Sequence, residues 1–262
     1  MSAWKPRLVG VVHLPPLPGS PRSAMSMKEV SRAAEADARV LSGAGYDAVI
    51  LENFGDTPFL PTVSAITVSA MTLAALRVRD ACPDLPVGIN VLRNDAEAAL
   101  AVAVVVGAHF IRVNVHSGAR VTDQGLIQGA AGVTLRSRRA LAAQVEIWAD
   151  VDVKHSAPLG ARPIAEEAAD VTARGMADAV LVTGEGTGRS VDGAKLLAVR
   201  RAVGVPVLVA SGATVETLPA LASSCDGVIV GSALRRDGKA GGAIDRDRAA
   251  TFARAFREVF AS

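Results

Sequence analysis

The chain has 262 residues, 50% of them hydrophobic and 21% charged, with a formal net charge of +2. That is apolar material for one large α/β barrel or two smaller domains, and the near-neutral balance without a charge block gives no polyanion footprint. Aromatic residues make up only 3%, which removes the stacking platforms that single-stranded nucleic acid requires. Two cysteines, Cys82 and Cys225, stand far apart and read as buried free thiols rather than a disulfide framework or a zinc set. No apolar leader precedes Pro15 and Pro16, and the longest apolar run, residues 98–108, falls short of the roughly 20 residues that span a bilayer. The expectation is a cytoplasmic protein with no integral membrane segment and no nucleic-acid partner.

Short Val/Ile-rich runs alternate with longer Ala/Leu/Arg-rich helical runs, eight times over. The runs expected as strands are 8–12, 48–51, 87–91, 110–115, 147–156, 179–182, 207–210 and 227–230, each followed by a helical stretch, the last near 246–260. They are apolar on both faces, as buried parallel strands are. Gly45, Gly107, Gly175 and Gly204 fall just after helical runs, where a left-handed residue ends a helix. Eight βα rounds in this length predict a (β/α)8 TIM barrel, a single domain spanning residues 1–262. No G-x-G-x-x-G follows the first strand, which weighs against a doubly wound open sheet.

The fifth strand is anomalous. Alternation puts Ala149, Val151 and Val153 on one face and Asp150, Asp152 and Lys154 on the other. In a closed barrel the charged face points inward, toward the rim where barrel active sites lie. His155 points the opposite way, toward the neighbouring helix. Other polar residues collect at the same ends of other strands: His13, then Glu52 and Asn53, Asn90 and Arg93, then Arg112, Asn114 and His116, which share one parity, and finally the run 183–188, with Thr183, Glu185, Gly186 and Thr187. Ser211-Gly212 and Gly231-Ser232 follow strands seven and eight. Small residues there let backbone N–H groups approach an anion, and barrels often bind phosphate with these two loops. The competing reading of these glycines is a tight turn.

His13, Glu52, His116, Asp150, Asp152 and Lys154 are therefore the candidates for acid/base chemistry, because imidazole titrates near neutrality and carboxylates in unlike environments divide acid and base roles. Lys154 is a Schiff-base amine, a general base or a cation for phosphate. Alternatively it is an ion-pair partner of Asp150 or Asp152, in which case it keeps its charge and is a poor nucleophile. Asn53, Asn90, Arg112, Asn114, Thr183, Glu185 and Thr187 are candidates for substrate binding, and Gly186, Ser211, Gly212, Gly231 and Ser232 for phosphate. No tight metal-ligand spacing exists, and a divalent metal on Asp150 and Asp152 with Glu52 or His116 is the minority alternative. The long segment 115–134, with His116, Ser117, Arg120, Asp123, Gln124 and Gln128 among glycines, is expected to be a lid. Homo-oligomerisation is a prior for barrels and nothing more.

Six segments together resemble the BtpA family. They are 11–21 (Val-Val-His-Leu-Pro-Pro-Leu-Pro-Gly-Ser-Pro), 52–56 (Glu-Asn-Phe-Gly-Asp), 114–116 (Asn-Val-His), 122–125 (Thr-Asp-Gln-Gly), 150–155 (Asp-Val-Asp-Val-Lys-His) and 183–188 (Thr-Gly-Glu-Gly-Thr-Gly). The resemblance runs from about residue 9 to residue 233. It implies a TIM barrel and a link to the accumulation of photosystem I in cyanobacteria, as a membrane-associated assembly or stability factor, and it brings no established reaction. The loops after strands seven and eight also resemble those of phosphate-binding barrels such as tryptophan synthase α-subunits. Two functional expectations follow: an isomerase, epimerase or lyase/aldolase acting on a phosphorylated small metabolite, such as a sugar or nucleoside phosphate, or a non-catalytic assembly factor working through its outer surface.

Overall fold

A computed structural model describes residues 7–160, 162–184 and 191–260. In chain order its elements are β1 (Leu8–His13), α1 (Met27–Gly43), β2 (Ala48–Glu52), α2 (Ala65–Ala81), β3 (Val87–Asn90), α3 (Ala96–Val106), β4 (Phe110–Val113), β5 (Ala119–Thr122), β6 (Gly125–Gln128), α4 (Ala131–Ala140), β7 (Glu146–Val151), β8 (Ser156–Pro158), α5 (Ile164–Ala173), β9 (Ala179–Val182), α6 (Gly193–Ala202), β10 (Val207–Val209), α7 (Leu218–Ala222), β11 (Gly227–Val230) and α8 (Arg246–Phe260). Eight strands close into a parallel barrel in the order β1-β11-β10-β9-β7-β4-β3-β2, the TIM barrel expected from the eight βα rounds. Among the described residues, no helix is long and apolar enough to cross a membrane.

Local chemistry sets the helix ends. Ser26 caps α1 in a reciprocal capping box with Glu29, and Asp95 caps α3 through the Ala98 N–H. Gly107 ends α3 at φ +63°, a conformation that costs a glycine little. Between strands and helices lies the larger core, to which α8 contributes Ala249, Phe252, Ala253, Phe256 and Phe260.

A second core fills the barrel itself. Phe110 and Trp148 stack at 3.9 Å between ring centroids and are joined by Val9, Val11, Ala48, Ile50, Leu181 and Ile229. Gly88 makes room for this floor: a Cβ there would lie 2.2 Å from the Phe110 ring. One alternation further along the strands, the inward positions become polar, with Glu52, Asn90, Arg112 and Asp150. The sheet thus places a charged layer directly above an aromatic plug.

Three expectations need correction here. The fifth barrel strand does not run to residue 156: its parallel pairing ends at Val151, and Asp152 and His155 adopt φ +51° and +55°. These left-handed residues break the alternation that put Asp152 and Lys154 on one inward face. The segment 115–134 is not a loose lid but contains the hairpin β5–β6, and β8 adds to it antiparallel, forming a three-stranded sheet outside the barrel. Arg120 on β5 anchors that sheet, donating to Ser156 Oγ at 2.6 Å, Asp152 Oδ1 at 2.9 Å and Glu167 Oε1 at 3.2 Å. The helix after β10 is also shorter than expected, only Leu218–Ala222.

Candidate active site

At the C-terminal mouth of the barrel lies a cavity of about 250 Å³. Its centre is Arg112, 5% exposed at the middle of β4. The guanidinium donates through Nε and Nη2 to the two oxygens of Asp150, both at 2.9 Å, and through Nη1 to Glu52 Oε1 at 3.1 Å. Burial pulls the Arg112 guanidinium toward deprotonation, but Asp150 and Glu52 outweigh it and hold the group above its ordinary value. Asn114 Nδ2 gives Asp150 a further hydrogen bond at 2.8 Å, and Asn90 Nδ2 reaches the Arg112 carbonyl at 3.0 Å. Among the described residues Asn90 Oδ1 is buried without a partner, leaving an acceptor on the cavity wall. A neighbouring β-strand position supplies each of these groups, so the layer is as rigid as the sheet.

His13 stands beside this layer, its Nε2 3.8 Å from Glu52 Oε2. The Gly241 N–H donates to Nδ1 at 3.1 Å, so the neutral imidazole carries its proton on Nε2, facing Glu52. That segment is held by Arg235, 1% exposed, which donates to the carbonyls of Gly241, Gly231 and Val11. Burial first, then the charges of Arg235, Lys154 and Arg112, push the His13 pKa well below its usual value. Phe54 covers the ring at 4.3 Å.

Lys154 lines the same cavity. It is not the self-neutralised lysine expected from strand alternation. Asp150 is taken by Arg112, Asp152 by Arg120 and Lys195, and among the described residues no carboxylate lies within ion-pair distance of Lys154. Burial, then Arg112, lower its pKa against the pull of Glu52 and Asp150. Among the described residues Lys154 is therefore not held as a salt-bridged, poorly nucleophilic cation.

The remaining wall is made by the segments after β10 and β11, with Ser211, Gly212 and Ala213 on one and Gly231 and Ser232 on the other. Gly212 takes φ +79°, and a Cβ at Gly231 would come within 3.1 Å of the His13 ring. Among the described residues, the N–H groups of Gly212, Ala213, Ser232 and Ala233 have no acceptor.

Among the described residues, five candidates do not line the cavity; one of them, Asp150, lies beneath Arg112. Asp152 turns outward to Arg120 Nη2 at 2.9 Å and Lys195 Nζ at 3.0 Å. His116 is buried outside the barrel, its Nε2–H donating to the Gly175 carbonyl at 2.8 Å, so it does not share a face with Arg112 and Asn114 as parity suggested. Asn53 spends its amide within the fold, donating to the Leu92 carbonyl and Asp56 and accepting from the Leu92 N–H. Thr183 donates to the Asp152 carbonyl. Glu185, Gly186 and Thr187 lie outside the described residues. Divergence of Asp150 and Asp152 also takes apart the donor set imagined for a metal, and among the described residues no three His, Cys, Asp or Glu side chains cluster as ligands.

Other lining residues fell outside the expected set. Arg93, beyond β3, is 6% exposed and donates through Nη2 to the Lys154 carbonyl at 2.8 Å. Its place just past a strand's C-terminal end was a usable signal. His155 lines the cavity rather than the neighbouring helix because its positive φ reverses its direction. Thr57, Phe54 and Phe59, from the segment after β2, complete the rim, and nothing in their spacing pointed there.

The fold and site define a class: a TIM-barrel protein whose strand C-termini surround a small, cation-rich cavity. More narrowly, the chain belongs to the BtpA family, whose model matches residues 4–258. It is 46% identical to the photosystem I biogenesis protein BtpA of Synechocystis sp. over 96% of this chain and 88% of that one. It is 44% identical to an uncharacterized protein of Thermococcus kodakarensis over 92% of each chain. Among solved structures, the fold is similar to that of phosphoribosyl anthranilate isomerase from Thermotoga maritima, with a TM-score of 0.60 at 14% identity over 96% of this chain and 99% of the other.

Proposed function

We propose that this chain is a cytoplasmic enzyme acting on a phosphorylated small metabolite by proton transfer, of the isomerase, epimerase or lyase/aldolase type. One juxtaposition carries the reading: His13, Glu52 and Lys154 line the same cavity as Gly212, Ala213 and Ser232, whose backbone N–H groups have no acceptor among the described residues. Those N–H groups, with the Ser211 and Ser232 hydroxyls, are suited to phosphate oxygens. Asn90 Oδ1 would accept from a substrate hydroxyl. Glu52, with one oxygen held by Arg112 and the other facing His13, is the base, and His13 Nε2–H is a proton donor in the correct tautomer. Lys154 stabilises developing negative charge; in the aldolase variant its amine, on the cavity wall and with its pKa lowered by burial, is the Schiff-base nucleophile. A phosphoribosyl group in the name of the structurally similar isomerase agrees with this substrate class, at the level of fold likeness alone.

Thermal denaturation with a panel of phosphorylated metabolites tests the reading. A true ligand at a hundred times its Kd stabilises by about 2.7 kcal/mol. Replacing Gly212 with Val should remove that shift. Borohydride trapping with an active ligand separates the variants: a Lys154 adduct marks Schiff-base chemistry, and its absence leaves acid/base transfer.

A second reading, an assembly or stability factor, draws on the name of the Synechocystis relative and on Ile66, Leu73 and Leu76, which lie exposed along α2. If no phosphorylated compound shifts the melting temperature, and polar replacements at Ile66 and Leu73 impair the protein's role in cells, this reading takes precedence.

A further inference from the structure

Among the described residues, the mouth of the barrel holds more positive charge than its carboxylates can match. Three basic side chains, Arg93, Arg112 and Lys154, line the cavity, against Glu52 on its wall and Asp150 beneath Arg112. Both carboxylates are committed to Arg112. Arg93 and Lys154 are left with no carboxylate within ion-pair distance among the described residues. Asp123, at the turn of the β5–β6 hairpin, and Asp150 act on Arg93 only from further away. A buried guanidinium at 6% exposure is costly without a counter-charge, and its planar fork suits a carboxylate or phosphoryl group.

The surplus is also placed. Arg93 leaves the barrel after β3, four places from β10 in the closed ring of eight, and its guanidinium reaches across to the Lys154 carbonyl after β7. The segments with unengaged N–H groups follow β10 and β11. The Arg93–Lys154 pair and the segments after β10 and β11 therefore line different parts of one cavity of about 250 Å³, below the roughly 300–1,000 Å³ of ordinary ligand pockets.

We infer that the substrate is a compact bis-anion: a phosphate at the Ser211 and Ser232 segments and a second oxyanion group, carboxylate or phosphoryl, between Arg93 and Lys154. The inference rests on the phosphate reading given above and adds the group at the other end. Asn90 and the His13–Glu52 pair then face the atoms between the two anions, where a proton is moved. The charge on Lys154 is neutralised by the substrate itself, so the site is complete only when occupied.

Calorimetric titration of the full chain tests this with defined probes: inorganic phosphate, alkylphosphonates of two to four carbons, phosphonocarboxylates of the same lengths, propane-1,3-bisphosphonate and glutarate. The expected result is that a phosphonocarboxylate or the bisphosphonate binds at least about tenfold tighter than the alkylphosphonate of equal length, the scale of one charge-assisted contact. Arg93→Gln should erase that gain and leave the alkylphosphonate Kd within about twofold. If the second charge brings no gain on the wild-type protein, a comparison that needs no variant, the inference is overturned. It is equally overturned if the gain survives Arg93→Gln in a variant that melts cooperatively. Glutarate binding that is lost in Arg93→Gln, with phosphate and every alkylphosphonate silent, would instead overturn the phosphate end and leave the Arg93 end standing.

Discussion

Arg112 and Asp150 meet by two parallel hydrogen bonds, Nε to Oδ1 and Nη2 to Oδ2, each 2.9 Å, at a point where both side chains are almost fully buried. This pair is the base of the whole mouth, since Glu52 and Asn114 are oriented through it.

Asp150→Asn keeps the shape and removes the charge, leaving the guanidinium with Glu52 alone. Breaking a buried pair from one side costs about 3–5 kcal/mol. Urea denaturation of the variant should show a loss in that range. A loss below about 1 kcal/mol would mean that the pair is solvated, as at a protein surface.

Lys154→Met should act in the opposite direction on stability. The wild-type ammonium is desolvated and unpaired among the described residues, so an apolar side chain of similar length relieves the unliganded protein by roughly 1–2 kcal/mol. The same variant should lose turnover and any stabilisation by anions. A lower melting temperature in the absence of ligand would contradict this account.

Acid should destabilise the fold through its histidines. His13 and His116 both have pKa values below the ordinary 6.5, chiefly through burial. The unfolded chain therefore binds protons that the folded chain refuses, and stability falls as pH drops through about 6.5 toward the depressed folded values. Asp37, Asp56 and Glu146, raised by burial, contribute with the opposite sign, at lower pH. Comparing the wild type with His13→Asn isolates the first effect: melting temperatures between about pH 7.5 and 5.5 should fall less in the variant. Equal slopes would show that His13 is protonated freely in the folded state.

Gly88→Ala introduces a Cβ 2.2 Å from the Phe110 ring, which is itself stacked on Trp148. Overpacking of this kind costs about 1–3 kcal/mol. Near-ultraviolet circular dichroism of Trp148 should change together with the melting temperature, since the ring cannot move without its partner.

The eight rounds of strand and helix were legible because buried parallel strands are uniformly apolar; of the glycines expected to end helices in the left-handed region, Gly45 and Gly107 do so, while Gly175 and Gly204 do not. Inward direction was legible only while the strand lasted. It held for His13, Glu52, Asn90, Arg112, Asn114 and Asp150, all within or just beyond regular pairing. It failed for Asp152, His155 and His116, which lie beyond the last ladder bond, where one left-handed residue or a turn redirects every side chain after it.

The chain alone thus carried the barrel, its polar rim and the anomaly at Asp150, because periodicity and composition are local properties. The tertiary fold decided who pairs with whom. Arg112 rather than Lys154 takes Asp150, the outer sheet of β5, β6 and β8 draws Asp152 away through Arg120, and Arg93 comes in over the mouth. Each of these partnerships joins residues at least 32 positions apart, as with Arg93 and Lys154 at 61. Pairing at such separations is a choice among many distant groups, and it is made by packing geometry. The result turns a strand with three charges into a site where one charge is locked, one is exported and one is left for a ligand.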